Sequence, residues 1–270
     1  MGLADAVRAH CAALAARAEL VTIDLSAARY DGGTSGLDPG LHRLDAPRDE
    51  VVRYVLVLDA INFGSGWFDE LGTDTDTLTR ALTERGAPWT PAELRALDPA
   101  AVGAALGLPA HPLTAHYATA LNELGAWLTE PLALGGSAPA FAERLTAMSS
   151  FADPGFHKRA QIAANDLVLA GVADFADADT LTVFADNLLP HVLRHDGVLV
   201  YAPELAAAVD AGEPLAHGGR AETELRACAV HACEGLAAAA GVAPRTLDNW
   251  LWHRGRTLPG RPHRTFTTAY

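Results

Sequence analysis

The stretch from Phe156 to Pro190 contains two short motifs, Phe156-His157-Lys158-Arg159-Ala160-Gln161 and Phe184-Ala185-Asp186-Asn187-Leu188-Leu189-Pro190. Each motif places an ionisable residue beside an aromatic one within an apolar, helix-forming context. A Lys and an Asp that are held where water is scarce have perturbed proton affinities, and catalysis uses such groups. The two motifs therefore direct attention to Lys158 and Asp186 as the centre of a site in a helical protein.

The composition around these motifs favours helices over sheets. Hydrophobic residues make up 50% of the chain and charged residues 20%, which is typical of a soluble globular protein. Alanine is abundant and aromatic residues are only 7%, and alanine is the best helix former. The length of 270 residues is ample for a large core, and no repeat, linker or composition shift marks a boundary. We expect a mainly α fold with few short strands, in a single domain over residues 1–270.

Charge and cysteine content limit the partners. The net charge of −13 repels polyphosphate, so polymeric nucleic acids and anionic membranes are poor partners, whereas two or three local cations suffice for a mononucleotide. The N-terminus lacks a basic n-region, and no apolar run reaches the roughly 18 residues of a membrane span, which indicates a cytoplasmic protein. The three cysteines are too widely spaced for a disulfide framework and lack the flanking ligands of a zinc site. We expect no metal and no cofactor.

Hydrophobic spacing and capping signals predict the elements. Residues 21–25 read as a short strand, 62–72 as a loop or broken helix, and 261–270 as an extended tail. The run over 49–60 is compatible with a buried strand, but its acidic start after Pro47 favours a helix. Helices are predicted over residues 5–20, 49–60, 75–85, 113–128, 138–149, 157–172, 180–194, 203–211, 222–240 and 244–252, and the capping-box sequence at 90–93 opens another.

Each candidate motif also has an ordinary structural interpretation. An Asp between apolar neighbours, such as Asp186, can simply cap a helix. The cluster around Lys158 can lie on a solvated helix start, although cations there oppose the helix dipole and would be better placed beside an anion. Glu222 and Arg226 have the i,i+4 spacing of a surface ion pair.

Two further segments could contact a ligand. The loop with Asn62, Phe63 and Trp67 suits the edge and face of a flat heterocycle, or it can plug its aromatic rings into the core. Near the end of the chain, His263 and Arg264 could bind a phosphate or could only anchor the tail.

In their order along the chain, these motifs resemble the queuosine salvage family. The resemblance extends from about Ile61 to Tyr270 and is strongest after Phe156. It implies a largely helical fold similar to helix-hairpin-helix DNA glycosylases. It also implies hydrolysis of the N-glycosidic bond of a nucleoside 5'-phosphate, which releases the tRNA-modification base queuine. The features that carry it are the Asn-Phe loop, the Lys-Arg-Ala-Gln segment, Phe-Ala-Asp with the downstream Pro190, Glu-x-Glu-Leu-Arg beside Cys228, Leu251-Trp252, and the closing Pro-His-Arg-Thr…Tyr.

The resemblance implies roles for individual residues. Asp186 falls on the family's catalytic aspartate and Lys158 on its active-site lysine. A carboxylate in a dry pocket would stabilise the oxocarbenium-like transition state of glycosidic cleavage, by its field, by attack at C1′, or by activating a water. The residues expected to bind the substrate are Asn62, Phe63, Trp67, Phe156, Phe184, Glu224, Arg226, Trp252, His263 and Arg264.

Departures from the family pattern leave the substrate more open than the reaction. Where the family usually has Tyr-Arg and then Pro-Gln after the catalytic aspartate, this chain has Asn187, Leu188, Pro190 and His191, and an acid after Leu-Trp is replaced by His253. The leading hypothesis is hydrolysis of queuosine 5'-phosphate or queuosine. The alternatives are an N-glycosylase for another 7-deazapurine or purine nucleotide, and a non-catalytic nucleobase-binding or nucleotide-binding protein. The sequence carries no signal of oligomeric state.

Overall fold

The computed structural model describes residues 2–129 and 131–270. Short 3₁₀ turns lie at Ser65–Trp67, Ser149–Phe151 and Ala178–Thr180. The helices are α1 Leu3–Ala15, α2 Arg48–Ala60, α3 Phe68–Leu71, α4 Thr75–Glu84, α5 Pro91–Ala96, α6 Pro99–Leu106, α7 Pro112–Trp127, α8 Ala138–Leu145, α9 Lys158–Leu169, α10 Leu188–His195, α11 Pro203–Ala211, α12 Arg220–Ala240 and α13 Pro244–Gly255.

Strands are few, so the predicted mainly α class is confirmed. β1 (Val21–Ile23) pairs with β2 (Leu199–Tyr201) in an antiparallel ribbon, with Val21 opposite Tyr201. The strand predicted from residue 21 is confirmed, whereas β2 was not predicted. The expected likeness to helix-hairpin-helix DNA glycosylases stays a prediction.

Helix starts follow the capping rules that the sequence contains. The Thr90 side chain accepts from Glu93 N while the Glu93 carboxylate accepts from Thr90 N, so the predicted capping box is confirmed. The Asp74 and Asp98 side chains cap α4 and α6 by accepting from Thr77 N and Ala101 N, without a reciprocal bond. Pro190 is the third residue of α10, where the proline breaks no hydrogen bond because N–H groups of the first turn have no partner within the helix.

The ambiguous run at 49–60 is a helix, as predicted. Every residue of α2 from Tyr54 to Ala60 is buried, because α2 lies between α7 and α9 and is covered on all sides. A helix in that position needs apolar side chains around its whole circumference, which is why its sequence lacks a clear amphipathic period.

The helix predicted over 180–194 begins only at Leu188, so the first part of that prediction is wrong. Residues 181–185 are not helical and are all buried, and residues 186 and 187 form a bend that leads into α10. The segment is rich in strand-forming residues, and side chains of distant helices take the place of a neighbouring strand. The hydrogen bonds that hold it run from Thr182 N to Gln161 Oε1 (3.1 Å), from Phe184 N to Asp248 Oδ1 (2.8 Å), and from Arg226 Nε to Ala185 O (2.9 Å).

The core is a connected cluster of buried apolar side chains that extends from α1 to α13. Within it, α1 packs against α12, α5 against α7, and α10 against α13. Both α2 and α8 pack against α9. In the described part of the chain no single helix is long and apolar enough to cross a membrane, and the pair α12 and α13 meets the length and composition only across a bend of 106°.

The C-terminal tail is extended, as predicted, and packs against the loop that follows α2. Gly64 N donates to Tyr270 O at 3.0 Å, and Arg159 Nη2 donates to Thr268 O at 2.7 Å. The tail passes so close to Gly66 that a β-carbon there would lie 2.1 Å from Thr265 O. The absence of a side chain at Gly66 therefore lets the loop and the tail make contact.

Gly66→Ala should lower the free energy of unfolding by about 2 kcal/mol, because a backbone carbonyl cannot rotate away from the added methyl group. Gly136→Ala is the matched control, since a β-carbon at Gly136 would meet no atom within 4 Å. The control should change stability by less than about 0.5 kcal/mol. Urea denaturation of both variants checks this, and equal stability of the two would show that the tail does not press on the loop.

Candidate active site

A cleft with two connected compartments lies between α2, α9, α10 and α13. The inner compartment has a volume of about 260 Å³ and the outer one about 420 Å³. Inner walls include apolar residues of α2, α4 and α9 and the loop before α2, which contributes Leu37 and Leu41. Residues common to both compartments mark their junction: Asn62, Phe63, Phe68, Thr75, Asp76, Lys158, Asp186, Trp252 and Arg256.

Lys158 reaches this junction because it is the first residue of α9 and points toward the end of α2. Its side chain is buried, and Nζ donates to the Asn62 backbone oxygen and to Asn62 Oδ1, both at 3.2 Å. The next residue, Arg159, donates to Ala60 O at 2.6 Å. The C-terminal carbonyl groups of α2 thus stabilise two cations that the α9 dipole alone would disfavour.

Asp186 reaches the junction from the other side, two residues before α10. Its Oδ1 accepts hydrogen bonds from Leu188 N at 2.9 Å and Leu189 N at 3.0 Å. The side chain therefore caps α10 and also lines the cleft, so the capping interpretation is confirmed and the catalytic one stays a prediction. With Oδ1 held by two backbone donors, the carboxylate has a fixed orientation.

Arg226 of α12 connects the segments that carry these two residues. Its guanidinium is 1% exposed and donates to Asp153 Oδ2 at 2.6 Å and to Ala185 O at 2.9 Å. Asp153 in turn accepts from Lys158 N at 3.2 Å. One buried cation thereby fixes the turn that precedes Lys158 and the backbone that precedes Asp186.

Three further carboxyl groups lie in or behind the cleft. Burial raises the pKa of Asp248 well above its usual range, and repulsion by Asp186 adds to the effect. Burial also raises the pKa of Asp166, to about 7, against the opposing effect of Asn165 and Lys158. Asp59 is fully buried, with no hydrogen-bond partner among the described residues for either oxygen. Burial and the neighbouring Asp166 raise its pKa strongly.

Lys158 balances these acids from within the same cleft. Burial lowers the pKa of its ammonium group, while the nearby Asp186, Asp59 and Asp248 act in the opposite direction. The cleft therefore contains a buried cation, and three carboxyl groups in or behind it have raised pKa values. Perturbed carboxyl groups of this kind are typical of active sites.

Half of the residues expected from the sequence line the cleft. Phe63, Phe184 and Trp252 provide aromatic walls, and Asn62 lies beside Lys158 and Asp186. Six others line neither compartment, and that they contact a substrate stays a prediction: Trp67, Phe156, Glu224, Arg226, His263 and Arg264.

The two polar residues of the Glu-Leu-Arg motif serve the fold. Glu224 Oε2 accepts from Glu19 N at 2.9 Å and Leu20 N at 2.7 Å, and thereby fixes the approach to β1. Arg226 is enclosed between the rings of Phe156 and Tyr270, 3.9 and 4.5 Å from their centroids. Phe156 is thus occupied by the guanidinium and does not face the cleft.

His263 and Arg264, the two residues expected to bind a phosphate, contact other groups of the protein. His263 is 2% exposed, and its Nε2 lies 3.1 Å from Tyr270 Oη. Burial and the nearby Arg226 lower its pKa to about 3, so His263 is neutral. Arg264 donates to Gly66 O at 2.8 Å and pairs with Glu70. Trp67 packs between the rings of His116 and Phe266.

The sequence of this chain matches a known protein family. The sequence model of the queuosine salvage protein family matches residues 41–268. The chain belongs to this family. It is 34% identical over 276 residues to a queuosine 5'-phosphate N-glycosylase/hydrolase of Sphaerobacter thermophilus, a match that covers 85% of this chain and 84% of that protein.

Shorter matches reach proteins of the same name from eukaryotes. The protein of Bos taurus is 45% identical over 83 residues, which cover 29% of this chain and 24% of that one. The protein of Dictyostelium discoideum is 33% identical over 127 residues, which cover 43% and 40% respectively.

Sequence reasoning missed several cleft residues of this family member, although helical spacing contains the signal. On α9, positions 158, 162, 165 and 166 all line the inner compartment, and they share one helix face. On α13 the same is true of Asp248, Trp252 and, just beyond its end, Arg256. Asp166 lies on the same face of α9 as Lys158, and Asp248 and Arg256 lie four residues before and after Trp252. These spacings are the signal by which the sequence could have identified the three residues.

The raised pKa of Asp166 predicts a specific pH dependence of stability. From the ordinary value of 3.8 up to about 7, the unfolded chain has released this proton while the folded chain retains it, so stability falls as pH rises. Asp166→Asn removes this loss. Relative to wild type, its free energy of unfolding should increase between about pH 4 and pH 7 by at most about 4 kcal/mol, and then stay constant.

Urea denaturation at intervals of about one pH unit measures this difference. Asp45→Asn, at an exposed position in the loop before α2, is the control and should differ from wild type by a nearly constant amount above about pH 5. A constant difference for Asp166→Asn as well would mean that Asp166 ionises in the folded protein as it does in the unfolded chain.

Proposed function

We propose that this chain hydrolyses the N-glycosidic bond of queuosine 5'-phosphate and releases queuine. The observation that carries the proposal is the meeting of Lys158 and Asp186 at the junction of two compartments, in a member of the queuosine salvage family. Water supplies a hydroxyl group to C1′ of the ribose and a proton to the departing base. Residues 1–270 act as one catalytic domain, which we place in the cytoplasm.

Asp186 stabilises the positive charge that develops on the ribose as the bond breaks. The donors Leu188 N and Leu189 N fix its orientation through Oδ1, so the carboxylate needs no reorganisation when the charge appears. Oδ2 is then the oxygen that faces C1′ and the attacking water. A preoriented carboxylate in a water-poor cleft stabilises an oxocarbenium-like transition state more strongly than a mobile one in bulk water.

Lys158 keeps the charge of the cleft balanced around that carboxylate. The Asp186 carboxylate attracts the Lys158 ammonium group, and this attraction opposes the burial that lowers the Lys158 pKa. Nζ of Lys158 is fixed by two oxygens of Asn62 and does not need to move during the reaction. Asn62 is thus a positioning residue in this mechanism.

The departing base requires a proton or a strong hydrogen bond. Asp166 and Asp248 both line the inner compartment, and burial raises the pKa of each. Carboxyl groups whose pKa is raised hold their proton more strongly than an ordinary Asp and are suited to donate it to a leaving group. The role of general acid therefore falls to this pair, whereas Asp186 acts on the sugar.

The shape of the cleft suits the parts of a nucleotide. Flat rings fit the inner compartment between Phe63, Phe184 and Trp252, with apolar walls around them. The ribose then lies at the junction beside Asp186, and the 5'-phosphate enters the outer compartment. The combined volume lies within the usual range for sites that hold a small molecule.

Hydrolysis of a different 7-deazapurine or purine nucleotide is the second candidate. The departure that favours it is His253, which lines the inner compartment where the base lies. Leu188 and Asn187 line the outer compartment, where a Leu in place of Arg leaves a polar group of the ribose or phosphate without a partner, at a cost of about 1–3 kcal/mol. Comparing the release of base from queuosine 5'-phosphate, queuosine and guanosine 5'-phosphate, by chromatography, separates the two candidates.

Asp186→Asn tests the mechanism and separates an enzyme from a protein that only binds nucleotides. Asn keeps the volume and can still cap α10, so stability and substrate affinity should change little. Turnover should fall by at least about a thousandfold, which corresponds to about 4 kcal/mol of transition-state stabilisation.

Asp98→Asn is the matched control for this experiment, because Asp98 caps α6 outside the cleft. It should keep nearly full turnover. Near-normal turnover of Asp186→Asn would assign the chemistry to another residue, and the absence of base release from any nucleotide by the wild type would leave a binding protein.

A further inference from the structure

The 5'-phosphate of a nucleotide carries close to two negative charges. A site that binds it therefore needs a positively charged side chain within reach of the phosphate. Of the described residues that line the two compartments, the Lys and Arg side chains are those of Lys158 and Arg256. Lys158 is 3% exposed, and its ammonium group is held by Asn62 beside Asp186. Because Lys158 is held in this position, Arg256 is the cation that can contact a second anionic group, the phosphate.

Arg256 lies just past the end of α13, at the junction of the compartments and at the mouth of the cleft. Its side chain is 37% exposed and therefore accessible to a ligand. The guanidinium lies 4.7 Å from the centroid of the Trp252 ring, and Nη2 donates to Asp76 Oδ2. The ring and the carboxylate together fix the plane of the guanidinium.

A guanidinium held in this way can still accept a second anion. It has five N–H donors in a planar fork, and Asp76 engages the donor group at one end. The remaining donors can form a charge-assisted pair with a phosphate, for which arginine is well suited. Residues with hydroxyl groups, Ser65, Thr73 and Thr75, line the same outer compartment and offer further donors.

The outer compartment is lined by several acidic residues, so the positive charge of Arg256 matters for binding a phosphate there. Asp69, Asp74 and Asp76 line it together with Asp186. Without a cation, these carboxylates would repel a phosphate while leaving an uncharged ribose hydroxyl unaffected. Lys158 and Arg256 offset part of this negative charge, and Arg256, the more exposed of the two, is the residue whose loss should weaken nucleotide binding more than nucleoside binding.

We propose that Arg256 binds the 5'-phosphate of a nucleoside monophosphate in the outer compartment, with Asp76 and Trp252 as its positioning residues. This assignment rests on the proposed glycosylase function for the identity of the substrate. It predicts that removing the Arg256 charge lowers the preference for the nucleotide over the nucleoside, because the acidic compartment then repels the phosphate more strongly.

The first test compares kcat/KM for queuosine 5'-phosphate and queuosine in the wild type, Arg256→Gln and Arg256→Lys. Arg256→Gln should lose about 30-fold on the nucleotide, which corresponds to about 2 kcal/mol, and should stay within about twofold on the nucleoside. Arg256→Lys should recover part of the loss because it restores the charge. Arg194→Gln, which removes a surface arginine paired with Asp210, is the control and should leave both values unchanged.

The second test measures binding without turnover, by titrating ribose 5-phosphate into the same variants in a calorimeter. The wild type and Arg194→Gln should bind it, and Arg256→Gln should bind it about 30-fold more weakly. This result would support the phosphate site even if the wild type cleaved neither nucleotide nor nucleoside, so the two proposals can fail separately. Equal losses on nucleotide and nucleoside, or unchanged binding of ribose 5-phosphate in Arg256→Gln, would overturn the assignment.

Discussion

The buried guanidinium of Arg226 is the contact on which the rest of the site depends. It bridges Asp153, Glu222 and the carbonyl of Ala185, and two aromatic rings cover its faces. Taking such a cation out of water is costly, and removing one partner of a buried pair costs about 3–5 kcal/mol. The cost is offset here because the same group joins the turn before Lys158, the strand-like segment before Asp186, and the C-terminal tail.

Several positively charged side chains are buried in the interior, although the protein as a whole is acidic. Lys158, Arg159 and Arg226 are all buried, in a chain whose net charge is −13. Their partners are helix-end carbonyl groups and carboxylates, so each cation is satisfied by groups that are themselves fixed. An interior of this kind keeps side chains in place, and it leaves carboxyl groups with raised pKa values in and behind the cleft.

Much of this arrangement could be predicted from the sequence, because the relevant signals are local. Caps, prolines and apolar spacing located most helices, and the two motifs identified Lys158 and Asp186, which meet in the cleft as expected. The failures have one physical cause, which is that distant side chains decide the outcome. Residues 181–185 are not helical because three other helices supply their hydrogen bonds. His263 and Arg264 contact groups that no spacing rule connects with them.

The extended segment before Asp186 has a consequence for how the protein acquires its activity. Its three anchors come from α9, α12 and α13, across sequence separations of 21, 41 and 64 residues. Contacts of that range form only after the intervening chain has been ordered, so the segment cannot be preassembled as a local unit. Fragments that lack any of these helices lose part of the support for the carboxylate, and opening any of the three helices releases one of its anchors. Competence for the reaction is thus a property of the whole cooperative fold.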